Sequence, residues 1–218
     1  MSHRSHPWAG GSLIAACLVG LGLLLTASPA DATTLRKMDL PEIVTAADRI
    51  VHARAIDKTV YWDPTGTQIY TDTTFEVVSE AKGTGPSTLT VSLLGGRIDP
   101  VEMREEGAPI FTVGEEVVLF TLDRPDGKND LVGFTQGVMR VLTEDTGDKT
   151  AVSEVALGVT LVQVGGPQPV VVRPSPFRAP LGVLMEDIRQ MILNGQPSGP
   201  VISATPDTDP VAPGSEIP

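Results

Sequence analysis

The central part of the chain alternates apolar and polar side chains with the two-residue period that is typical of half-buried β-strands. One face of the strand predicted at 68–79 carries Ile69, Thr71, Thr73, Phe75 and Val77. Residues 50–62 and 88–94 are also predicted strands, and a slip of the alternation near Ile56 predicts a β-bulge. The turn sequences DPTGT and KGTGPS separate these segments. The pattern therefore predicts three consecutive strands joined by turns.

A fourth strand is predicted at 115–122, EEVVLFTL, and it is apolar on both faces after Glu116. This is typical of a central strand. Successive strand side chains point to opposite faces, so Glu115 and Glu116 cannot converge on one bond. The paired carboxyls of glycosidases face each other across about 5 to 9.5 Å. We therefore interpret both glutamates as the solvent-exposed start of the strand, followed by a hairpin tip at 123–130 and a returning strand at 131–142.

Two helices are predicted, one on each side of the strand region. Residues 40–48 form a short N-terminal helix, with Asp39 as N-cap and Pro41 in the first turn. Residues 180–193 form an amphipathic helix. Its apolar stripe consists of Leu181, Leu184, Ile188, Met191 and Ile192. We expect this stripe to pack on the protein core, with a partner-binding helix as the alternative.

Residues 1–30 have the pattern of a secretory signal peptide. Arg4 precedes the apolar run 12–25, and the small residues that follow predict cleavage after Ala30 or Ala32. The apolar run is shorter than the roughly 20 residues of a membrane-spanning helix. Residues 14–17 (IAAC) resemble a lipobox, although the apolar run continues beyond Cys17. Lipidation at Cys17 is therefore the less favoured alternative.

Removal of the signal peptide takes away most of the side chains that could serve as nucleophiles, bases or metal ligands of the Cys and His type. The chain has 16 basic and 27 acidic residues, and only Arg4 of these lies in residues 1–30, which leaves 15 against 27 and a charge of −12. Cys17 is the chain's only cysteine, and of three histidines only His52 remains. These losses exclude a disulfide, a cysteine nucleophile and a Cys/His zinc site. A Ser-His-acid triad would require His52, which we interpret as a surface residue of a strand. The acidic charge argues against binding to nucleic acid.

The C-terminal part of the chain divides into two segments. Residues 167–194 combine a connection with five prolines and the amphipathic helix. Residues 195–218 contain six prolines, three glycines, three acidic residues and neither Lys nor Arg. This composition buries too little apolar surface to offset chain entropy, so the tail is predicted to be disordered. Residues 31–166 are then predicted to be a single barrel domain.

Several segments resemble a known family of secreted proteins. They are residues 48–55, 75–77 followed by Lys82 and Gly83, 114–120 and 133–141. Together they resemble uncharacterised secreted bacterial proteins with a netrin-like domain, the module found in tissue inhibitors of metalloproteinases. The resemblance covers about residues 39–142 and implies a closed antiparallel OB-like barrel of about five or six strands. The C-terminal helix would then cap an open end of this barrel.

The resemblance departs from the inhibitors in one respect. Those inhibitors coordinate the protease zinc through an N-terminal cysteine and are crosslinked by disulfides, whereas the mature chain has no cysteine. That inhibitory mechanism cannot be transferred to this chain.

Two small groups of residues are candidate sites. Tyr61, Trp62 and Tyr70 flank the DPTGT turn and could anchor a partner, although cross-strand aromatic pairing is the commoner reason for such a pattern. A second group near the predicted hairpin tip offers oxygen ligands for calcium. Its members are Asp123, Asp126, Asn129 and Asp130. Their spacing does not match the twelve-residue calcium loop, and the same residue types are common in turns.

These observations predict an exported, non-catalytic binding module of the cell envelope or exterior. We expect no cofactor, a protein partner, and no contact with nucleic acid or, after signal cleavage, with a membrane. The resemblance suggests a secreted metalloprotease as the partner. A carboxylate-dependent secreted hydrolase and a weak calcium-binding surface protein are the alternatives, and a convergent pair of acids would favour the hydrolase.

Overall fold

The computed structural model describes residues 33–153, 159–166, 168–172 and 176–195. The strands are β1 (Thr33–Arg36), β2 (Arg49–Trp62), β3 (Ile69–Lys82), β4 (Thr88–Leu94), β5 (Gly96–Ile98), β6 (Val101–Met103), β7 (Glu116–Asp123), β8 (Asn129–Leu131), β9 (Val138–Thr143), β10 (Lys149–Ser153), β11 (Val159–Gln163), β12 (Val170–Val172) and β13 (Phe177–Pro180). The helices are α1 (Leu40–Ala46) and α2 (Leu181–Leu193), and a 3-10 turn spans Phe134–Gly137. The prediction of a mainly β chain with a short N-terminal and a C-terminal helix is confirmed.

Two predicted segments lie outside the described residues. They are the signal peptide at 1–30 and the tail at 195–218, apart from Gly195. Neither helix in the described part of the chain is long and apolar enough to span a bilayer.

Five strands close into a barrel in the order β7, β2, β3, β4, β8 and back to β7. Four of the five pairings are antiparallel, but β4 and β8 run parallel where Val91 pairs with Asn129. The barrel is therefore mixed, and the prediction of a purely antiparallel barrel is wrong. The reason is geometric: strands that alternate in direction cannot close a ring of odd number without one parallel pair. A separate sheet joins β1 to β11 in parallel and β11 to β12.

The barrel strands contribute to two separate cores. Along β7, Val117 and Leu119 point into the barrel, whereas Val118 and Phe120 point outward. The outward side chains pack against α1 and α2 and against the extension of the sheet through β9, β10 and β13. Because β7 is apolar on both faces, its outer face must also be shielded from water by other elements. Helix α2 thus covers the outside of the barrel, not its open end as predicted.

The stripe of α2 is buried as predicted at Leu181, Leu184, Ile188 and Met191, and Met185 is buried as well. Ile192 was predicted to belong to this stripe, but it is 37% exposed. It lies in the last turn beside the exposed Leu193, where the helix extends past the packed core.

Local signals in the sequence explain several element boundaries. Asp39 accepts a hydrogen bond from the Glu42 amide while the Glu42 carboxylate accepts one from the Asp39 amide, a capping box that begins α1.

The predicted bulge near Ile56 is confirmed by a register shift between Ala55 and Asp57. The predicted single strand at 131–142 is interrupted by the 3-10 turn. Gly137, the last residue of this turn, packs so closely against the main chain of Val132 that a side chain would clash.

Candidate functional site

A cleft of about 440 Å³ opens at the end of the barrel where β3 begins and β4 ends. We call it the mouth cleft. Its lining includes Lys58 of β2, Thr71 and Thr73 of β3, Leu93 of β4, and residues 95–97 and 102–111, which cover the opening. A volume of this size falls within the roughly 300 to 1,000 Å³ of ordinary ligand sites.

Gly96 allows the β5–β6 hairpin to form one wall of the mouth cleft. A Cβ atom at this position would lie 2.6 Å from Cγ1 of Val60 and 2.7 Å from Oγ1 of Thr71. Since its φ is also +144°, only glycine suits the position. The Thr71 hydroxyl donates to the Gly95 carbonyl at 2.7 Å, and Sδ of Met103 lies 3.2 Å from the Ile69 amide nitrogen. These contacts hold the hairpin against the barrel strands.

Most of the cleft wall is apolar. Leu93, Met103 and Phe111 contribute side chains, and the Phe111 ring packs edge-on against Phe75 of the barrel core, with 5.0 Å between ring centroids. Ile110 also lines the cleft and is 62% exposed. An apolar wall that remains open to solvent is typical of a site that a ligand covers.

Besides Thr71, two polar side chains of the barrel strands interrupt this wall. Lys58 and Thr73 are directly paired across β2 and β3, so their side chains lie on the same face of the sheet. Nζ of Lys58 donates a hydrogen bond of 3.3 Å to the Phe111 carbonyl. Thr73 is 2% exposed. The described residues include no fully buried side-chain polar atom without a hydrogen-bond partner, and none of the hydrogen bonds between them involves the Thr73 hydroxyl, so this hydroxyl reaches the surface of the cleft. Both groups are therefore available to a ligand.

The segment that covers the cleft carries both signs of charge. Glu102 lies 3.8 Å from Nη1 of Arg97 and 3.7 Å from Nη2 of Arg104. Glu105 and Glu106 add two further carboxylates to the lining. The acidic and basic groups of this segment thus leave its net charge slightly negative.

Glu116 lies at the centre of a partly buried ionic cluster. Its carboxylate lies 2.9 Å from Nε2 of His52 and accepts hydrogen bonds of 2.6 Å from both Arg54 and Lys149. Its side chain is 12% exposed, and the whole of His52 is 4% exposed. The interpretations of Glu116 as a solvent-exposed strand end and of His52 as a surface residue are therefore wrong. Sequence reasoning missed the cluster because Lys149 joins it from a distant strand.

Glu115 has a different partner on the other face of β7. Both of its carboxylate oxygens lie 2.9 Å from Nη1 of Arg140, and Nη2 of Arg140 donates to the Ile110 carbonyl at 3.0 Å. Glu115 therefore positions the covering segment of the mouth cleft through Arg140. Glu115 and Glu116 share no partner among these contacts, as expected for side chains on opposite faces of a strand.

Glu116→Gln is expected to lower the free energy of unfolding at neutral pH by about 1–3 kcal/mol, because the cations around it lose a charged partner. Burial raises the pKa of Glu116, but hydrogen bonds from Lys149, Arg54 and His52 outweigh burial and lower the pKa from 4.5 to about 2. A lowered pKa gives stability that is present above pH 4.5 and is lost as the pH falls towards 2. Urea unfolding of both proteins between pH 7 and pH 2 should show the difference shrinking across this window. A difference that does not change with pH would contradict the ionic role.

Tyr61 and Tyr70 form a cross-strand pair, with ring centroids 6.1 Å apart and an interplanar angle of 21°. Nζ of Lys128 lies 2.7 Å from the Tyr61 hydroxyl and 2.8 Å from the Asp72 carboxylate. These contacts give both tyrosines a structural role within the sheet. Of the predicted aromatic anchors, Trp62 retains an exposed side chain.

Two of the four candidate calcium ligands are paired with Arg124. Nη2 of Arg124 lies 2.9 Å from Asp126, and Nη1 lies 3.2 Å from Asp130. Asn129 donates its amide to the Asp123 carboxylate at 3.0 Å. A guanidinium in this position would repel a calcium ion. Across the described ranges, no group of three or more His, Cys, Asp or Glu residues is arranged to hold a metal ion.

Comparison of the chain with protein-family models, curated proteins and solved structures finds no match. The netrin-like resemblance therefore stays a prediction, and the function has to be argued from the mouth cleft.

Proposed function

We propose that this protein is an exported binding module without catalytic activity, which holds part of a protein partner in the mouth cleft. The observation that carries the proposal is the cleft itself, with its apolar wall and the exposed side chain of Ile110. Surfaces of this kind are typical of binding sites because covering them removes apolar area from water.

The order of the barrel strands supports an OB-like fold. Strands β2, β3 and β4 follow one another, and β8 closes the ring between β4 and β7 with one parallel pairing. This is the strand order of OB-type barrels, which bind ligands on one open face and its loops. An OB-like barrel agrees with the netrin-like resemblance and with a secreted protease as partner in the cell envelope or exterior.

The geometry of the acidic residues gives less support to a hydrolase. Glu116 is surrounded by His52, Arg54 and Lys149, and its pKa of about 2 keeps it ionised, so it cannot act as a general acid near neutral pH. Glu115 is paired with Arg140 on the opposite face. Hydrolysis of an ester, peptide or glycoside by the pure protein, lost in Glu116→Gln, would favour the hydrolase instead.

Site-specific photocrosslinking in the source cells tests the binding function. A photoreactive residue at Ile110, in the cleft wall, should give a discrete adduct with one partner protein. The same residue at the exposed Leu142 of β9 should give none, and Ala108→Trp, which narrows the cleft, should abolish the Ile110 adduct. Equal adducts at both positions, or no adduct at Ile110, would contradict the proposal. Identification of the adduct by mass spectrometry shows whether the partner is a protease.

Export has its own test. Mass spectrometry of the protein from the cell exterior or envelope should find an N-terminus at Asp31 or Thr33. An N-terminus at a lipid-modified Cys17 would instead show that the protein is anchored to a membrane.

A further inference from the structure

Lys58 differs from most basic residues in the described part of the chain because no carboxylate lies within 4.0 Å of its ammonium group. Every described arginine has a carboxylate within this distance, as do Lys128 and Lys149. Lys82 instead donates to two carbonyl groups of α1. Lys58 is an exposed residue at the wall of the cleft, and its ammonium group has no carboxylate partner among the described residues.

The Thr73 hydroxyl is a second polar group of the mouth cleft, and it has no hydrogen bond to another group in the described part of the chain. Thr73 is paired directly with Lys58, and such cross-strand pairs place their Cβ atoms about 4.5–5.5 Å apart. An ammonium and a hydroxyl this close together can donate hydrogen bonds to the two oxygens of one carboxylate. The Thr73 hydroxyl is open to solvent at the surface of the cleft, where a ligand oxygen can accept its hydrogen bond.

The rest of the cleft restricts the ligand further. Leu93, Met103 and Phe111 offer apolar contacts to the remainder of the molecule. Glu105 and Glu106 lie on the covering segment and would repel an anion on that side, whereas the charges of Arg97 and Arg104 are offset by Glu102. A ligand carboxylate is therefore favoured beside Lys58 and not beside the covering segment.

We infer that the mouth cleft recognises a carboxylate carried on an apolar body, with Lys58 and Thr73 binding the carboxylate. The inference rests on the proposed binding function and adds the chemical class of the ligand. Two sources share this chemistry: a free medium-chain fatty acid, and the C-terminal carboxylate of a protein that ends in apolar residues. The second source is the one that fits a protein partner.

Calorimetric titration of the full protein with matched acids and neutral analogues tests the inference. The probes are decanoate against decanamide, and a short peptide of leucine and phenylalanine with a free C-terminus against its amide. The acid of at least one pair should bind at least tenfold more tightly than its neutral analogue. Lys58→Met should remove this difference while the neutral analogue still binds, and Thr73→Val should reduce it. Lys37→Met, which removes an exposed lysine outside the cleft, should change nothing.

The ε-methyl NMR signal of Met103 shows whether each probe enters the mouth cleft, and that of Met185, on the buried face of α2, is the control. Equal binding of acids and neutral analogues that shift the Met103 signal would overturn the inference but leave the proposed function standing. If none of the four probes shifts the Met103 signal, the inference is also overturned. The crosslinking experiment at Ile110 then tests the proposed binding function separately. Binding of decanoate alone or of the free peptide alone identifies the source of the carboxylate.

Discussion

Phe120→Ala is expected to lower the free energy of unfolding by about 3–5 kcal/mol, the usual cost of deleting a fully buried aromatic side chain. Phe120 is completely buried in the core that lies outside the barrel, beneath α1 and α2. The loss combines reduced apolar burial with a cavity that closely packed neighbours fill only in part. In a domain of this size, the change corresponds to a fall of about 6–20 °C in Tm.

Leu142→Ala is the matched control for this variant. Leu142 lies in β9, the strand next to β7, but its side chain is 45% exposed. Its replacement should change the free energy of unfolding by no more than about 0.5 kcal/mol. Urea unfolding followed by circular dichroism measures both variants, and unchanged m-values would show that the unfolded state is the same. A silent Phe120→Ala would mean that the assigned register of β7 is wrong.

Ending the chain after Pro180 is expected to have an effect at least as large, because it removes all of α2. Burial of each large apolar side chain contributes about 1.5–3 kcal/mol. The residues lost from the core are Leu181, Leu184, Met185, Ile188 and Met191. Their sum approaches the roughly 5–15 kcal/mol that stabilise a typical domain, so cooperative thermal unfolding should be lost or shifted far down.

Truncation after Gly195 is the control for this deletion. It keeps the helix and its C-terminal hydrogen bonds, in which the amide of Asn194 donates to the Gln190 carbonyl at 3.0 Å and that of Gly195 to the Ile192 carbonyl at 3.4 Å. Calorimetry should therefore find a Tm close to that of the full chain. Equal stability of the two truncated proteins would contradict the packing role of α2 and would make it the leading candidate for a partner-binding helix.

A pair of point variants tests the same helix without deleting it. Ile188 is fully buried, and Ile188→Ala should cost about 2–5 kcal/mol. Ile192 lies one turn further on and is exposed at the helix end, so Ile192→Ala should have a much smaller effect. Similar losses for both would indicate that the last turn of α2 is also packed.

The sequence predicted those features that depend on neighbouring residues. The two-residue alternation located β3 and β4, and its slip located the bulge at Ile56. Asp39 and Pro41 marked the start of α1, because capping is satisfied within one helical turn. The apolar pattern of residues 117–120 also showed that β7 is buried on both faces.

The candidate site was less accessible from the sequence. The pattern placed Thr73 on the same strand face as Phe75, but nothing in it paired Thr73 with Lys58 or put Gly96 against Val60. His52 and Glu116 were both noticed, yet their contact joins two strands whose pairing the sequence does not specify. A side chain's neighbours across a sheet depend on register, which a single strand does not encode.

By itself, the sequence determined which segments are strands and helices and which of their faces are apolar, since periodicity and capping are local properties of the chain. Only the tertiary structure decided how these segments combine. The parallel pairing of β4 with β8 closes the barrel, and β7 turns its outer face towards α1 and α2. The covering residues 95–97 and 102–111 leave a cleft beside Lys58. These contacts join residues far apart in the chain, and their free energy depends on the whole packed arrangement, so no local pattern could specify them.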